Sequence, residues 1–176
     1  MVPKKLLNKA RAIKLVLLDV DGVMTDGSIT YDEGGKEIKS FNVRDGAAIK
    51  WLQNAGIEVA VLSGRKSRAL EVRAKELGLK RVFQSQIYKL PAFEQLLADT
   101  RLSPREVACI GDDLHDLSIL KRAGLSGCPA DAVPELKKVV DYICQAKGGR
   151  GAVREFAEII LKSQGQWKAI LKKFDL

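Results

Sequence analysis

Apolar residues fall in short runs that end at polar or acidic tips. Residues 14–18, KLVLL, stop abruptly at Asp19-Val20-Asp21-Gly22. Such a run predicts a strand buried on both faces, with carboxylates at its C-terminal tip. Residues 57–62 repeat the pattern before Ser63-Gly64-Arg65, and residues 107–110 repeat it before Gly111-Asp112-Asp113. Helical spacing fills the intervals. Residues 45–55, DGAAIKWLQNA, predict a helix stopped by Gly56, and residues 67–77 a helix stopped by Gly78. A short strand at 81–83 and a helix at 91–100 follow. Ser103-Pro104-Arg105-Glu106 has the form of a capping box with Pro at the first helical position. Any helix there is very short, because the strand at 107 follows at once. Residues 114–123 predict a helix stopped by Gly124, then a weaker strand at 125–128, a short helix at 133–139 and a strand at 140–143. Gly148-Gly149-Arg150-Gly151 leads into a final helix at 152–163.

One stretch departs from this rhythm. Ser28–Tyr31 and Glu37–Val43 have strand-like composition on either side of Asp32-Glu33-Gly34-Gly35, which predicts an inserted β-hairpin over 28–43. Strands alternating with helices imply an α/β, Rossmann-like parallel sheet with helices on both faces. No repeat, low-complexity segment or linker divides the chain, so residues 1–176 are expected to form one domain, with a Gly-rich segment and C-terminal helix or tail over 148–176.

Composition narrows the function classes. With 46% apolar and 30% charged residues, the chain can bury a core that offsets its ordering entropy. The longest uncharged run, residues 123–130, is too short for a transmembrane helix, and the N-terminus lacks the apolar core of a secretory leader; a cytoplasmic protein is expected. Cys109, Cys128 and Cys144 are widely spaced, contain no C-x-x-C, and read as buried reduced thiols. The net charge of +8 favours anionic partners. Much of it sits in terminal lysines that read as solvated helix faces, and the few aromatic residues are not interleaved with basic ones. Base stacking is therefore poorly supported. A small anionic substrate accounts for the charge, and neither nucleic acid nor membrane is expected as a partner.

In an open parallel sheet, ligands bind beyond the carboxyl ends of the strands. Here those ends offer Asp19 and Asp21, Ser63, and Asp112 with Asp113, while Lys89 precedes the helix after the third strand. Carboxylates crowded this way repel one another unless a hard cation neutralises them. Oxygen donors suit Mg²⁺, which shares its coordination shell readily with phosphate. Ser63 and Lys89 then serve as phosphate-binding groups, Asp19 as nucleophile and Asp21 as general acid and base.

Asp19-Val20-Asp21-Gly22-Val23, Ser63-Gly64, Lys89 and Gly111-Asp112-Asp113 with Asp116 resemble the four ordered motifs of the haloacid dehalogenase superfamily, across residues 14 to about 130. The segments DVDGVMTDGSITYDEGGKEIKSFNVRDG, LSGRKSRALEVRAKELG, GDDLHDL and GGRGAVRE resemble its small capless branch, typified by 3-deoxy-D-manno-octulosonate 8-phosphate phosphatases. The resemblance implies a hairpin in place of a cap domain. It also implies a homotetramer with the hairpins near its centre, and a Gly-rich tail that approaches a neighbour's site. Asp19 would become an aspartyl-phosphate, and Asp21 would protonate the leaving sugar oxygen and then activate water. The Asp19 carboxylate, the Asp21 backbone carbonyl and Asp112 would hold Mg²⁺, with Asp113 and Asp116 orienting them. Ser63, the Gly64 amide and Lys89 would bind phosphate.

Arg65, Arg73 and Arg150 are the candidates to grip the substrate's distant carboxylate. Phosphatases of nonulosonate 9-phosphates resemble this chain but tend to carry Glu where it has Arg65. The implied reaction is therefore hydrolysis of the eight-carbon sugar acid's phosphate, a step toward lipopolysaccharide precursors, with the nine-carbon substrate as the alternative. A receiver domain or a non-catalytic phosphoacceptor or binding module is the rival class. The receiver is disfavoured because both D-x-D carboxylates end the first strand and the second acidic cluster comes late, and the non-catalytic module because Asp19, Asp21, Lys89 and Asp112 are all intact. His115 reads as a helix-surface residue, Trp51 as helix core and Trp167 as an interface candidate. The Gly148–Gly151 segment also admits a reading as a flexible loop, and Arg44 stays open between substrate contact and surface ion pair.

Overall fold

The computed structural model describes residues 3–175; Met1, Val2 and Leu176, the ends of the expected domain, lie outside them. In chain order its elements are α1 (Lys4–Arg11), β1 (Leu15–Leu18), β2 (Thr30–Tyr31), β3 (Glu37–Ile38), α2 (Val43–Asn54), β4 (Glu58–Leu62), α3 (Arg68–Leu77), β5 (Arg81–Phe83), α4 (Lys89–Thr100), β6 (Val107–Ile110), α5 (Leu117–Leu120), β7 (Leu125–Cys128), α6 (Pro134–Lys137), β8 (Tyr142–Ile143), α7 (Ala152–Ser163) and α8 (Trp167–Lys172). Six strands form one sheet in the order β5-β4-β1-β6-β7-β8, with every pairing parallel. The chain builds outward from β1 to β5 on one side, then returns to build β6 to β8 on the other. That reversal opens a crevice between the carboxyl ends of β1 and β6. The register sets Leu18 beside Val61 and Ile110, so the polar tips that follow all emerge at one edge.

Each central strand is apolar throughout because both of its faces are covered. Val16 and Leu18 pack with α1, α2, α3 and α7, while Leu15 and Leu17 pack against α4, α5 and α6. All four residues of β1 are buried. Truncating a leucine there to alanine is expected to cost about 2–5 kcal/mol. The three cysteines are free and buried. Among the described residues no helix is long and apolar enough to cross a membrane.

Several boundaries differ from the sequence reading. The hairpin strands are only two residues long. The expected strand over 37–43 ends at Ile38, and its last expected residue, Val43, opens α2 instead, because the Asn42 side chain accepts the Arg44 N–H at 2.8 Å and caps that helix. Helix α4 begins two residues before Pro91, so Lys89 lies in its first turn rather than ahead of it. Pro is tolerated so close to a helix start because that N–H has no intrahelical partner. The helix expected at 114–123 divides into a 3₁₀ turn (Leu114–Asp116) and α5. Helix α6 and strand β8 are shorter than predicted.

The helix expected to be last is followed by α8. Trp167 of α8 packs edge-on against Trp51 of its own chain, with ring centroids 5.7 Å apart, and the Arg154 guanidinium lies 4.0 Å over the Trp51 ring. Trp167 is thus seated within the fold.

The Gly148–Gly151 segment is tied down, not a free loop. The Gly149 N–H donates to the Val23 carbonyl at 2.9 Å, and Asn42 Nδ2 donates to the Gly149 carbonyl at 3.3 Å. The Gly148 N–H donates to Asp131, and the Gly151 N–H to Asp45. A Cβ at position 148 would overlap the Gly22 carbonyl, so only glycine permits this approach. The segment therefore braces the loop that follows β1.

Candidate active site

Asp19 continues the line of β1: its N–H donates to the Ile110 carbonyl at 3.0 Å, and it is only 7% exposed. The chain then coils tightly, with the Val20 carbonyl accepting the N–H groups of Val23, Met24 and Thr25. Gly22 sits at φ +89°, and a Cβ there would overlap the Asp112 carboxylate. Both facts require glycine after the second aspartate.

Asp112 stands at the tip of β6. Its loop is shaped by Asp116, whose Oδ2 accepts the N–H groups of Asp112 at 3.0 Å and Asp113 at 3.3 Å. Asp113 in turn accepts the Leu114 N–H at 2.7 Å, starting the 3₁₀ turn. Lys89 is buried, and its ammonium contacts both Asp19 and Asp116. Ser63 is buried at the tip of β4, its Oγ accepting the Arg65 N–H at 3.1 Å.

A cleft of about 490 Å³ opens here, lined by Asp19, Asp21, Gly64, Arg65, Lys89, Asp112, Asp113 and Asp116, with Ile87 and His115 among its remaining walls. One carboxylate oxygen from each of Asp19, Asp112 and Asp116 lies within 4.8 Å of the others. Burial, followed by the Asp116 charge, holds Asp19 well above the usual carboxylate range, although Lys89 pulls the other way. Asp112 is pushed up to about 6, first by burial and then by Asp116. Burial alone would depress Lys89, but the charges of Asp19 and Asp116 outweigh it and raise it above its ordinary value. Three crowded carboxylates against one ammonium leave an excess of negative charge. The donors are all oxygens, and the set fits a hard divalent cation such as Mg²⁺.

Most sequence-predicted residues line this cleft; Ser63, the residue before Gly64, is buried and is not among the lining residues. Asp116, expected only as an orienting residue, brings a carboxylate oxygen into the close triad. The Asp21 carboxylate contacts Lys39. His115 is exposed at the mouth, in keeping with a surface position. Arg44 is exposed as well.

Two of the three arginines fall outside the cleft lining. Arg73 lies five residues along α3, a helix that rises about 1.5 Å per residue, and it pairs with Glu76 at 2.9 Å and lies 5.9 Å from the Phe41 ring centre. Arg150 is drawn toward Asp26 at 3.6 Å by the bracing Gly-rich segment. Only Arg65 is in place. It pairs with Glu37 at 2.8 Å, and Glu37 and Lys39 are site residues that the sequence reading omits. Their signal is the two-residue period of the hairpin, which places 37 and 39 on one face.

Comparisons with known proteins give the chain's relatives. Residues 37–124 match the haloacid dehalogenase-like hydrolase family. The 3-deoxy-D-manno-octulosonate 8-phosphate phosphatase KdsC of Salmonella typhi is 44% identical over 165 residues, which covers 94% of this chain and 88% of that protein. The crystal structure of the 3-deoxy-D-manno-octulosonate 8-phosphate phosphatase from Yersinia pestis superposes with a TM-score of 0.92 at 44% identity, covering 94% of this chain and 89% of that one. The Moraxella catarrhalis enzyme of the same name, solved with magnesium ion, phosphate ion and KDO, superposes with a TM-score of 0.95 at 39% identity and covers 97% of this chain and 98% of that one.

Proposed function

The chain belongs to the haloacid dehalogenase-like hydrolases, and from that membership we propose that it is a Mg²⁺-dependent phosphatase of a sugar-acid phosphate, 3-deoxy-D-manno-octulosonate 8-phosphate. The observation that carries this reading is the convergence of Asp19, Asp112 and Asp116 with Lys89 at the switch point of the sheet. The relatives that share 44% of its residues over nearly the whole chain support the substrate class.

The Asp19 carboxylate, the Asp21 backbone carbonyl and Asp112 would hold Mg²⁺, which supplies neutralisation of charge on the transferring phosphoryl group. An Asp19 oxygen attacks phosphorus as the bond from phosphorus to the sugar oxygen breaks. Asp21 gives its proton to the departing oxygen. It then takes a proton from the water that attacks the aspartyl-phosphate, releasing phosphate and restoring Asp19. The Ser63 hydroxyl, the Gly64 N–H and the Lys89 ammonium would hold phosphate oxygens. Asp116 and Asp113 keep the loop carrying Asp112 in shape. Arg65, at the rim, takes the substrate carboxylate.

The assembly we propose is a homotetramer. Ile29, Tyr31 and Ile38 on the hairpin are 51%, 58% and 48% exposed, and a partner subunit would cover them.

The test is phosphate release from the octulosonate ester, a nonulosonate 9-phosphate and glucose 6-phosphate, with Mg²⁺ or with EDTA. We expect release that needs Mg²⁺ and a preference of at least about tenfold in kcat/KM for the octulosonate ester, equivalent to about 1.4 kcal/mol of transition-state discrimination. Equal rates on all three esters, or rates unchanged by EDTA, would overturn the reading.

A further inference from the structure

The hairpin forms a two-stranded sheet of its own, separate from the six-stranded one. It is too small to be stable alone, yet two of the charged side chains that follow its turn, Glu37 and Lys39, pair with residues that line the cleft. The Lys39 ammonium contacts Asp21 Oδ1 and lies 3.4 Å from Glu37. The Lys39 side chain is 1% exposed, against 24% for Asp21. Glu37 is gripped in turn by Arg65. Ile38, between them in sequence, is exposed.

A buried ammonium is costly unless it is paired. A buried ion pair also adds little net stability compared with an apolar pair of similar volume. Fold stability alone therefore gives no reason for a lysine here. The environment of Asp21 does. Its backbone is set by the coil after β1, but among the described residues Lys39 is the only side chain bonded to its carboxylate.

We propose that Lys39 is a positioning residue for Asp21, and that Glu37 holds Lys39 in that position. By occupying Oδ1, Lys39 leaves Oδ2 free to serve the leaving oxygen and then the attacking water from one fixed place. A misplacement of about 1 Å in such a group lowers rate by about 10²-fold. The proposal rests on the phosphatase reading of Asp21 given above, and it assigns the hairpin a part in the chemistry of its own subunit.

The experiment measures kcat, KM and thermal midpoint on the octulosonate ester and on 4-nitrophenyl phosphate with Mg²⁺. The proteins are wild type, Lys39→Met, Glu37→Gln, Asp21→Asn and the two double variants with Asp21→Asn. We expect Lys39→Met to lower kcat by about 100-fold with KM within about threefold, and Glu37→Gln, which preserves the hairpin's shape, to lower it by about tenfold. On the Asp21→Asn background neither change removes more than about threefold, because no carboxylate remains to be placed. Losses by the same factor in both backgrounds, with lowered midpoints, would identify a structural prop and overturn the proposal. So would a Lys39→Met enzyme that keeps more than about a fifth of wild-type kcat. A wild-type protein that releases no phosphate at all would instead remove the phosphatase reading, and this assignment with it.

Discussion

Lys89 governs the charge balance of the cleft. Its ammonium lies between Asp19 and Asp116, and without it three carboxylates would face one another in a buried space. Lys89→Met is therefore expected to lower the thermal midpoint in EDTA, by the equivalent of about 3–5 kcal/mol, the usual cost of breaking a buried pair. Mg²⁺ should raise the variant's midpoint by more than it raises the wild type's; an equal rise would show that Lys89 does not share the cation's role. Asp19→Asn acts in the opposite sense. It removes one of the crowded charges, so the midpoint should hold or rise while kcat drops at least about 10³-fold in a phosphate-release assay. The placement of Asp19, Asp21 and Asp112 in the cleft is legible from the strand ends alone. Asp116 was legible as a neighbour of the motif but not as a member of the triad, because its reach back to the Asp112 and Asp113 N–H groups depends on a 3₁₀ turn where a regular helix was expected. Lys39 and Glu37 were not legible, since a two-residue period shows which residues share a face but not what that face meets.

Side chains secure some of the helix starts by accepting their unpaired N–H groups, as Asn42 does for α2 and Ser67 for α3. Helix α7 is preceded by Gly151, which has no side chain to supply a cap. The Asp45 carboxylate of α2 supplies one instead, accepting the Gly151 N–H at 3.3 Å and the Arg154 N–H at 2.8 Å. Asp45→Ala should cost about 1–3 kcal/mol, a fall of a few degrees in midpoint, and should leave kcat nearly intact at low temperature. An unchanged midpoint would show that the cross-helix cap contributes nothing. Strands β5 and β6 and helix α7 lie where their apolar patterns place them. The hairpin strands were read too long because β-branched and aromatic composition extends past the point where Asn42 takes over as a cap. Helix α8 was missed because its lysines suggested a solvated tail. Trp167, Ile170 and Leu171 of α8, with Phe174 just beyond it, fall at the i, i+3, i+4, i+7 spacing of a helix face, and Trp51 is one of the groups that receives them.

For the whole molecule, the order of strands matters more than any one motif. The reversal at β1 brings tips separated by more than ninety residues, Asp19 and Asp112, to one crevice, and the Gly-rich segment holds the loop between them from behind. Among the described residues the hairpin's Ile29, Tyr31 and Ile38 stay about half exposed. Ile38→Glu should shift the molecular mass measured by sedimentation from that of a tetramer to a smaller species; a wild-type protein that sediments as a monomer would refute the assembly. The central claim is that Asp19 itself receives the phosphoryl group, and an acid-quenched reaction with radiolabelled phosphate ester in Mg²⁺ tests it most directly. The account predicts label on the peptide containing Asp19, absent in EDTA and in Asp19→Asn. Label on another residue, or sustained turnover by Asp19→Asn, would contradict it.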